Sequence, residues 1–152
     1  MKNRQAGLRA LLDTPFLLPT IGIDVGEEVL TALKKLDSIK AEIYYSRFSI
    51  LETLWLAARL SKNMSFDNER FIRGLRSIIE GGRYVKVEES SEIFEGALRM
   101  YGLGHRDMID NILYATSSSL NINLLTLDRE LKQFISDKKL KDIIILPDQM
   151  TL

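Results

Sequence analysis

Short apolar runs of strand character alternate along this chain with longer stretches of helical periodicity. The run LRALL (8–12) breaks at Asp13, Thr14 and Pro15, the pattern of a strand that ends in a turn. The next segment, LLPTIGIDVG, is irregular and rich in breakers. Val29, Leu30, Leu33 and Leu36 then recur at helical spacing and predict a helix over 27–36. EIYYSRFS (42–49) reads as a strand running into a helix over 50–60, where Leu51, Leu54, Trp55 and Ala58 share a face expected in the core. A second amphipathic helix spans 66–79, with Ser65 or Asp67 as N-cap and Gly81–Gly82 as its stop. YVKVE (84–88) alternates as a half-buried strand, and Ser90 or Ser91 opens a helix ending near Gly102 and Gly104. Residues 107–120 are helical in pattern, 123–127 a buried strand, 128–137 a helix and 142–146 a last strand before Pro147. This βα alternation predicts a single α/β domain over 1–152, a three-layer α/β/α sandwich with a mainly parallel central sheet.

Composition narrows the chemistry more than the fold. A chain of 152 residues, 45% apolar and 28% charged, suits one ordinary globular domain. Basic and acidic residues number 21 each, so any affinity for a polyanion must come from local charge. The absence of cysteine excludes disulfides, thiolate catalysis and Cys-based zinc sites, and a single histidine excludes a multi-His metal site within one chain. A bound metal would therefore be a hard cation with oxygen ligands, Mg²⁺ or Mn²⁺. No apolar run approaches the roughly 20 residues of a membrane span. MKNRQAG does not lead into a signal-peptide core, so a cytoplasmic protein with no membrane contact is expected.

Four acids stand where that chemistry would need them. In an open parallel sheet, ligands bind outside the carboxyl ends of the strands. Asp13 follows the first strand and Asp128 the late strand NLLTL, so both should emerge at the same edge. Glu52 and Asp110 lie near predicted helix starts, where the helix dipole favours negative charge. Each has a plain alternative: Asp13 as a turn residue, Glu52 on a solvated face, Asp110 and Asp128 as helix caps. Gathered together, four carboxylates would repel one another, which points to a divalent cation.

The ordered set resembles the PIN domain, the nuclease fold that includes VapC-like toxins of toxin–antitoxin pairs. The family's first acid ends a strand before a small hydroxyl residue, here Asp13 and Thr14; its second lies in an S-x-x-E helix start, here Ser49 to Glu52. The third opens a helix of the form D-x-x-x-x-A-T, here Asp110 to Ala115 and Thr116, and the fourth follows a strand ending T-x-D, here Thr126 to Asp128. The resemblance runs from Leu8 to about Leu146. The family commonly has a compact helix after its first acid, where this chain has the longer, Pro- and Gly-rich segment FLLPTIGIDVG. Apolar residues within it, Phe16, Leu17 and Ile21, are expected to be exposed as a lid or a dimer or antitoxin contact.

The resemblance implies a Mg²⁺- or Mn²⁺-dependent endoribonuclease, the toxin of a toxin–antitoxin pair. RNA would be the substrate, with an antitoxin and a second copy of the chain as partners. Asp13, on a rigid strand end, would be the central ligand. Asp110 and Asp128 would be further ligands, and Glu52 would hold a second ion or orient the attacking water. Thr14 and Thr126 are expected to hydrogen-bond these carboxylates, and Asn111 and Asp107 are accessory candidates. His105 reads first as a structural or surface histidine, although with Arg106 it stands near enough to Asp110 in sequence to contact phosphate. Arg70, Arg73 and Arg76 form a helical stripe, either a solvated face or an RNA track. The alternative function is a catalytically silent PIN-like module that binds RNA or protein. Haloacid-dehalogenase phosphatases need a second Asp where Pro15 stands, and response-regulator receivers need an acidic pair where LLD offers one acid.

Overall fold

The computed structural model describes residues 7–150. Five strands form one all-parallel sheet in the order β3-β2-β1-β4-β5: β1 Arg9–Leu12, β2 Glu42–Tyr45, β3 Tyr84–Lys86, β4 Asn123–Leu125 and β5 Ile144–Ile145. Six helices cover it: α1 Glu27–Ser38, α2 Arg47–Leu60, α3 Asn68–Glu80, α4 Ser91–Leu103, α5 Met108–Leu120 and α6 Arg129–Asp137. The expected three-layer architecture is therefore present. Strand ends differ from the sequence reading: β2 stops at Tyr45 because Ser46 caps α2, accepting from Phe48 N at 3.1 Å. Among the described residues, no helix is long and apolar enough to cross a membrane.

The central strand feeds two cores at once. On β1, Ala10 and Leu12 face one layer with Ile43, Tyr45, Leu125 and residues of α1 and α3; Leu11 faces the other with Leu113, Leu124 and Leu131. This is the burial expected of a parallel strand, whose two faces are both covered by helices. The chain builds β2 and β3 on one side of β1, then crosses to build β4 and β5 on the other. The order thus reverses between β1 and β4, the position at which open parallel sheets bind ligands beyond the carboxyl ends of their strands.

Two expectations about apolar residues are corrected. Phe16, Leu17 and Ile21 are not a free surface: they are fully buried in the core beneath α1 and α3. A 3-10 turn over Thr14–Phe16 folds the segment inward. Arg70 then holds it, donating to Thr20 O at 2.7 Å and Pro19 O at 3.3 Å. That use removes Arg70 from the supposed RNA stripe and leaves Arg73 and Arg76 exposed. Conversely Trp55, placed in the core by periodicity, is 54% exposed, with Leu51 and Leu54 exposed beside it. The face of α2 that packs inward is the one bearing Ser49, Thr53 and Ala57, whose small side chains let the helix approach the turn after β1.

Gly74 marks the tightest approach between α3 and this segment. A β-carbon there would overlap Thr20 O and Ile21 Cα, both backbone atoms with little freedom to move. Gly74→Ala is expected to lower the unfolding free energy by about 1–3 kcal/mol in urea titrations, despite alanine's better helix propensity. An unchanged or increased value would show that the segment is not packed as described.

Candidate metal centre at the switch point

Asp13 leaves β1 buried, 8% exposed as a residue, between the ends of β1 and β4. Thr126 Oγ1 donates to Asp13 Oδ2 at 2.7 Å, and Thr14 N donates to Asp13 Oδ1 at 2.8 Å. The same two threonines extend the network. Thr14 Oγ1 donates to Glu52 Oε1 at 2.6 Å, in the second turn of α2 rather than at its start. Thr126 Oγ1 accepts from Asp128 N at 3.1 Å, which fixes the turn into α6. Asp13, Glu52 and Asp128 are thereby tied together through Thr14 and Thr126, which bond to the carboxylates as the sequence reading expected.

Asp110 approaches from the other layer, in the first turn of α5. A carboxylate oxygen of Asp110 and one of Asp128 lie within 4.8 Å of each other, and Asp110 also feels the charges of Asp13 and Asp107. Asp107 caps α5 by accepting from Asp110 N at 3.1 Å, so one of its oxygens is already used. Asp128 likewise caps α6, accepting from Leu131 N at 3.0 Å. For Asp128 the capping and ligand readings coexist, because a carboxylate has two oxygens and lone pairs to spare. Asn111 is fully buried and bonds to His105 twice: its Nδ2 donates to His105 O at 2.7 Å, and its Oδ1 stands 2.7 Å from His105 Nδ1.

The lone histidine is where the structure adds a neighbour that sequence reasoning set aside. One potential ligand atom each from His105, Asp110 and Asp128 lie within 4.8 Å of one another. The signal available in sequence was only the spacing in HRDMID, which is compatible with many exposed histidines. Arg106, by contrast, is drawn away: its guanidinium lies over the Tyr101 ring, 5.0 Å from the centroid.

The electrostatics agree with an acidic site suited to a cation. Burial, opposed in part by the Thr126 and Thr14 hydrogen bonds, pushes the Asp13 carboxyl up to about 6, with Glu52 and Asp128 adding repulsion. Burial first, then the charges of Asp13, Asp107 and Asp128, pushes the Asp110 carboxyl up to about 9. Oxygen donors crowded at this density fit a hard divalent ion, which would relieve the repulsion that protons otherwise relieve. A cavity of about 660 Å³ lies instead between α4 and α5, lined by Met100, Arg99, Tyr114 and Ser118. None of the four acids lines it, so the acidic crevice is the better candidate for chemistry.

These shifts set a pH dependence. Both carboxyls have folded-state values above the ordinary 3.8, so the fold holds extra protons between about pH 4 and 9. Their contribution to stability is full below pH 4 and is lost as pH rises through 6 and then 9. EDTA-treated protein is therefore expected to melt at progressively lower temperature from pH 5 to pH 9, followed by circular dichroism. Mn²⁺ should reverse the trend, because a metal displaces the protons it competes with. A metal-free melting temperature that rises over this range would contradict the crowding of Asp13 and Asp110.

Comparison with known proteins places this geometry in a family. Solved structures that share the fold include a toxin–antitoxin complex from Klebsiella pneumoniae, with a TM-score of 0.59 and 16% identity over 93% of this chain and 99% of that one. VapBC2 from Rickettsia felis, bound to a DNA fragment from its promoter, matches with a TM-score of 0.60 and 18% identity over 91% and 98%. FitAcB from Neisseria gonorrhoeae matches with a TM-score of 0.59 and 14% identity over 93% and 99%. No curated protein sequence matches the chain. The PIN domain family model matches residues 10–135, most of the length and all four acids. The chain belongs to the PIN domain family.

Proposed function

We propose that this protein is a divalent-metal-dependent endoribonuclease that acts as the toxin of a toxin–antitoxin pair. The observation that carries the reading is the buried Asp13 carboxylate, linked through Thr14 and Thr126 to Glu52 and Asp128 and crowded by Asp110. A structural role alone gives no reason to assemble four acids at the one crevice where the strand order reverses. Asp13, Asp110 and Asp128 would hold the ion, Mg²⁺ or Mn²⁺, with Glu52 either a further ligand or the group that orients a water. The bound ion would supply Lewis-acid polarisation of a phosphoryl oxygen and lower the pKa of a coordinated water. Thr14 and Thr126 keep Asp13 and Glu52 in fixed rotamers, so the oxygens are aligned before the substrate arrives.

Likeness to solved toxin–antitoxin complexes supports an antitoxin partner. The surface we assign to protein partners is not the first loop but the apolar stripes of α2 and α4. Phe48 and Phe94 meet edge to face at 5.8 Å, and Leu51 and Trp55 continue one stripe while Leu98 continues the other. Exposed apolar side chains concentrated in this way mark contact surfaces for protein. An antitoxin and a second copy of the chain are both candidates for them.

Cleavage of a single-stranded RNA by the purified protein tests the reading. Cleavage is expected with Mn²⁺ or Mg²⁺, none in EDTA, and a loss of roughly 100-fold or more in Asp13→Asn. That variant should still fold. Asn can accept from Thr14 N and donate to Thr126 Oγ1, and it removes a desolvated charge. A well-folded Asp13→Asn protein with full activity, or undiminished cleavage in EDTA, would overturn the proposal.

A further inference from the structure

We propose that His105 is a nitrogen ligand of the metal centre, adding an imidazole to the carboxylates and biasing the site toward Mn²⁺ over Mg²⁺. The inference rests on the metal-dependent reading above and concerns which side chains complete the coordination. Its starting point is the fully buried Asn111. The Asn111 Nδ2 donates to the His105 backbone carbonyl at 2.7 Å, which leaves Oδ1 as the atom facing the ring. An amide oxygen can only accept, so the partner at 2.7 Å, Nδ1, must carry a proton. The neutral ring then has its lone pair on Nε2. A ring nitrogen held by a hydrogen-bond acceptor while the other is left free is the usual state of a metal-ligating histidine.

The ring also stands beside two of the acids. A potential ligand atom of His105 lies within 4.8 Å of carboxylate oxygens of both Asp110 and Asp128. No ion pair joins the ring to either acid among the described residues, whose salt bridges all involve Lys or Arg. The ring therefore stands beside the two carboxylates without bonding to them. Two ligands about 2.1 Å from one cation sit roughly 3–4 Å apart, so a small inward turn of these side chains would let them share one. Phe134 packs on the imidazole with centroids 5.2 Å apart and limits its rotation. Backbone, buried amide and aromatic ring thus fix the ring of the chain's one histidine at the edge of the acidic crevice. An imidazole among carboxylates favours ions with affinity for nitrogen, such as Mn²⁺, whereas Mg²⁺ is held best by oxygen alone.

Because there is a single histidine, nitrogen coupling to a bound Mn²⁺ has one assignable source. Electron spin-echo envelope modulation of the Mn²⁺-loaded protein is expected to show ¹⁴N imidazole modulation. The pattern should change to that of ¹⁵N when only histidine is labelled, an experiment that needs no substitution. In His105→Gln the modulation should vanish and Mn²⁺ affinity fall roughly tenfold or more by calorimetry, with Mg²⁺ affinity nearly unchanged. Bound Mn²⁺ without histidine modulation would overturn this inference and leave the carboxylate site standing. Failure to bind Mn²⁺ at all would overturn both.

Discussion

The structure depends on keeping one carboxylate, that of Asp13, at the buried end of a central strand. A desolvated carboxylate is costly unless protonated, hydrogen-bonded or bound to a cation. Here it has two short hydrogen bonds, from Thr14 N and Thr126 Oγ1, and three further acids that add repulsion. The sheet order follows the same constraint, because only the reversal between β1 and β4 brings the ends of both strands to one crevice. The architecture places the acids, and a bound cation would relieve their repulsion.

Within the site the labour is divided by chemistry. The acids provide charge, and the threonines provide direction, each with a hydroxyl that donates to one carboxylate. Thr126 also accepts from the backbone of Asp128, so one small side chain couples the first strand's acid to the last one. Asn111 does the comparable task for His105 from the next turn of α5. Holding a ligand by a second, buried polar residue is what gives such sites their geometric precision.

Much of this was legible in the residues themselves. Strand and helix order could be read because parallel strands give unbroken apolar runs, and the D-T and T-x-D steps located Asp13, Thr14, Thr126 and Asp128 at strand ends. Asp110 could be placed through its helix start, whereas Ser46 caps α2 earlier than expected and leaves Glu52 beyond the first turn. What escaped was anything set by packing between distant segments. Phe16, Leu17 and Ile21 look like an exposed loop in sequence because Pro and Gly surround them, yet Arg70, some 50 positions away, holds that loop down on the core. The face of α2 was misread because periodicity marks Leu51, Leu54 and Trp55 as apolar, while Ser49, Thr53 and Ala57 are the residues small enough to let the helix approach the turn after β1. His105 was undecidable for a different reason: its meaning depends on Asn111 and on carboxylates reached through the fold.

The central claim is that the four acids are gathered to hold a divalent cation. A crystal soaked in Mn²⁺, with diffraction data collected for anomalous scattering, tests it most directly. An anomalous peak is expected among the carboxylates of Asp13, Asp110 and Asp128. A crevice that stays empty under saturating Mn²⁺, with those carboxylates turned away from one another, would contradict it.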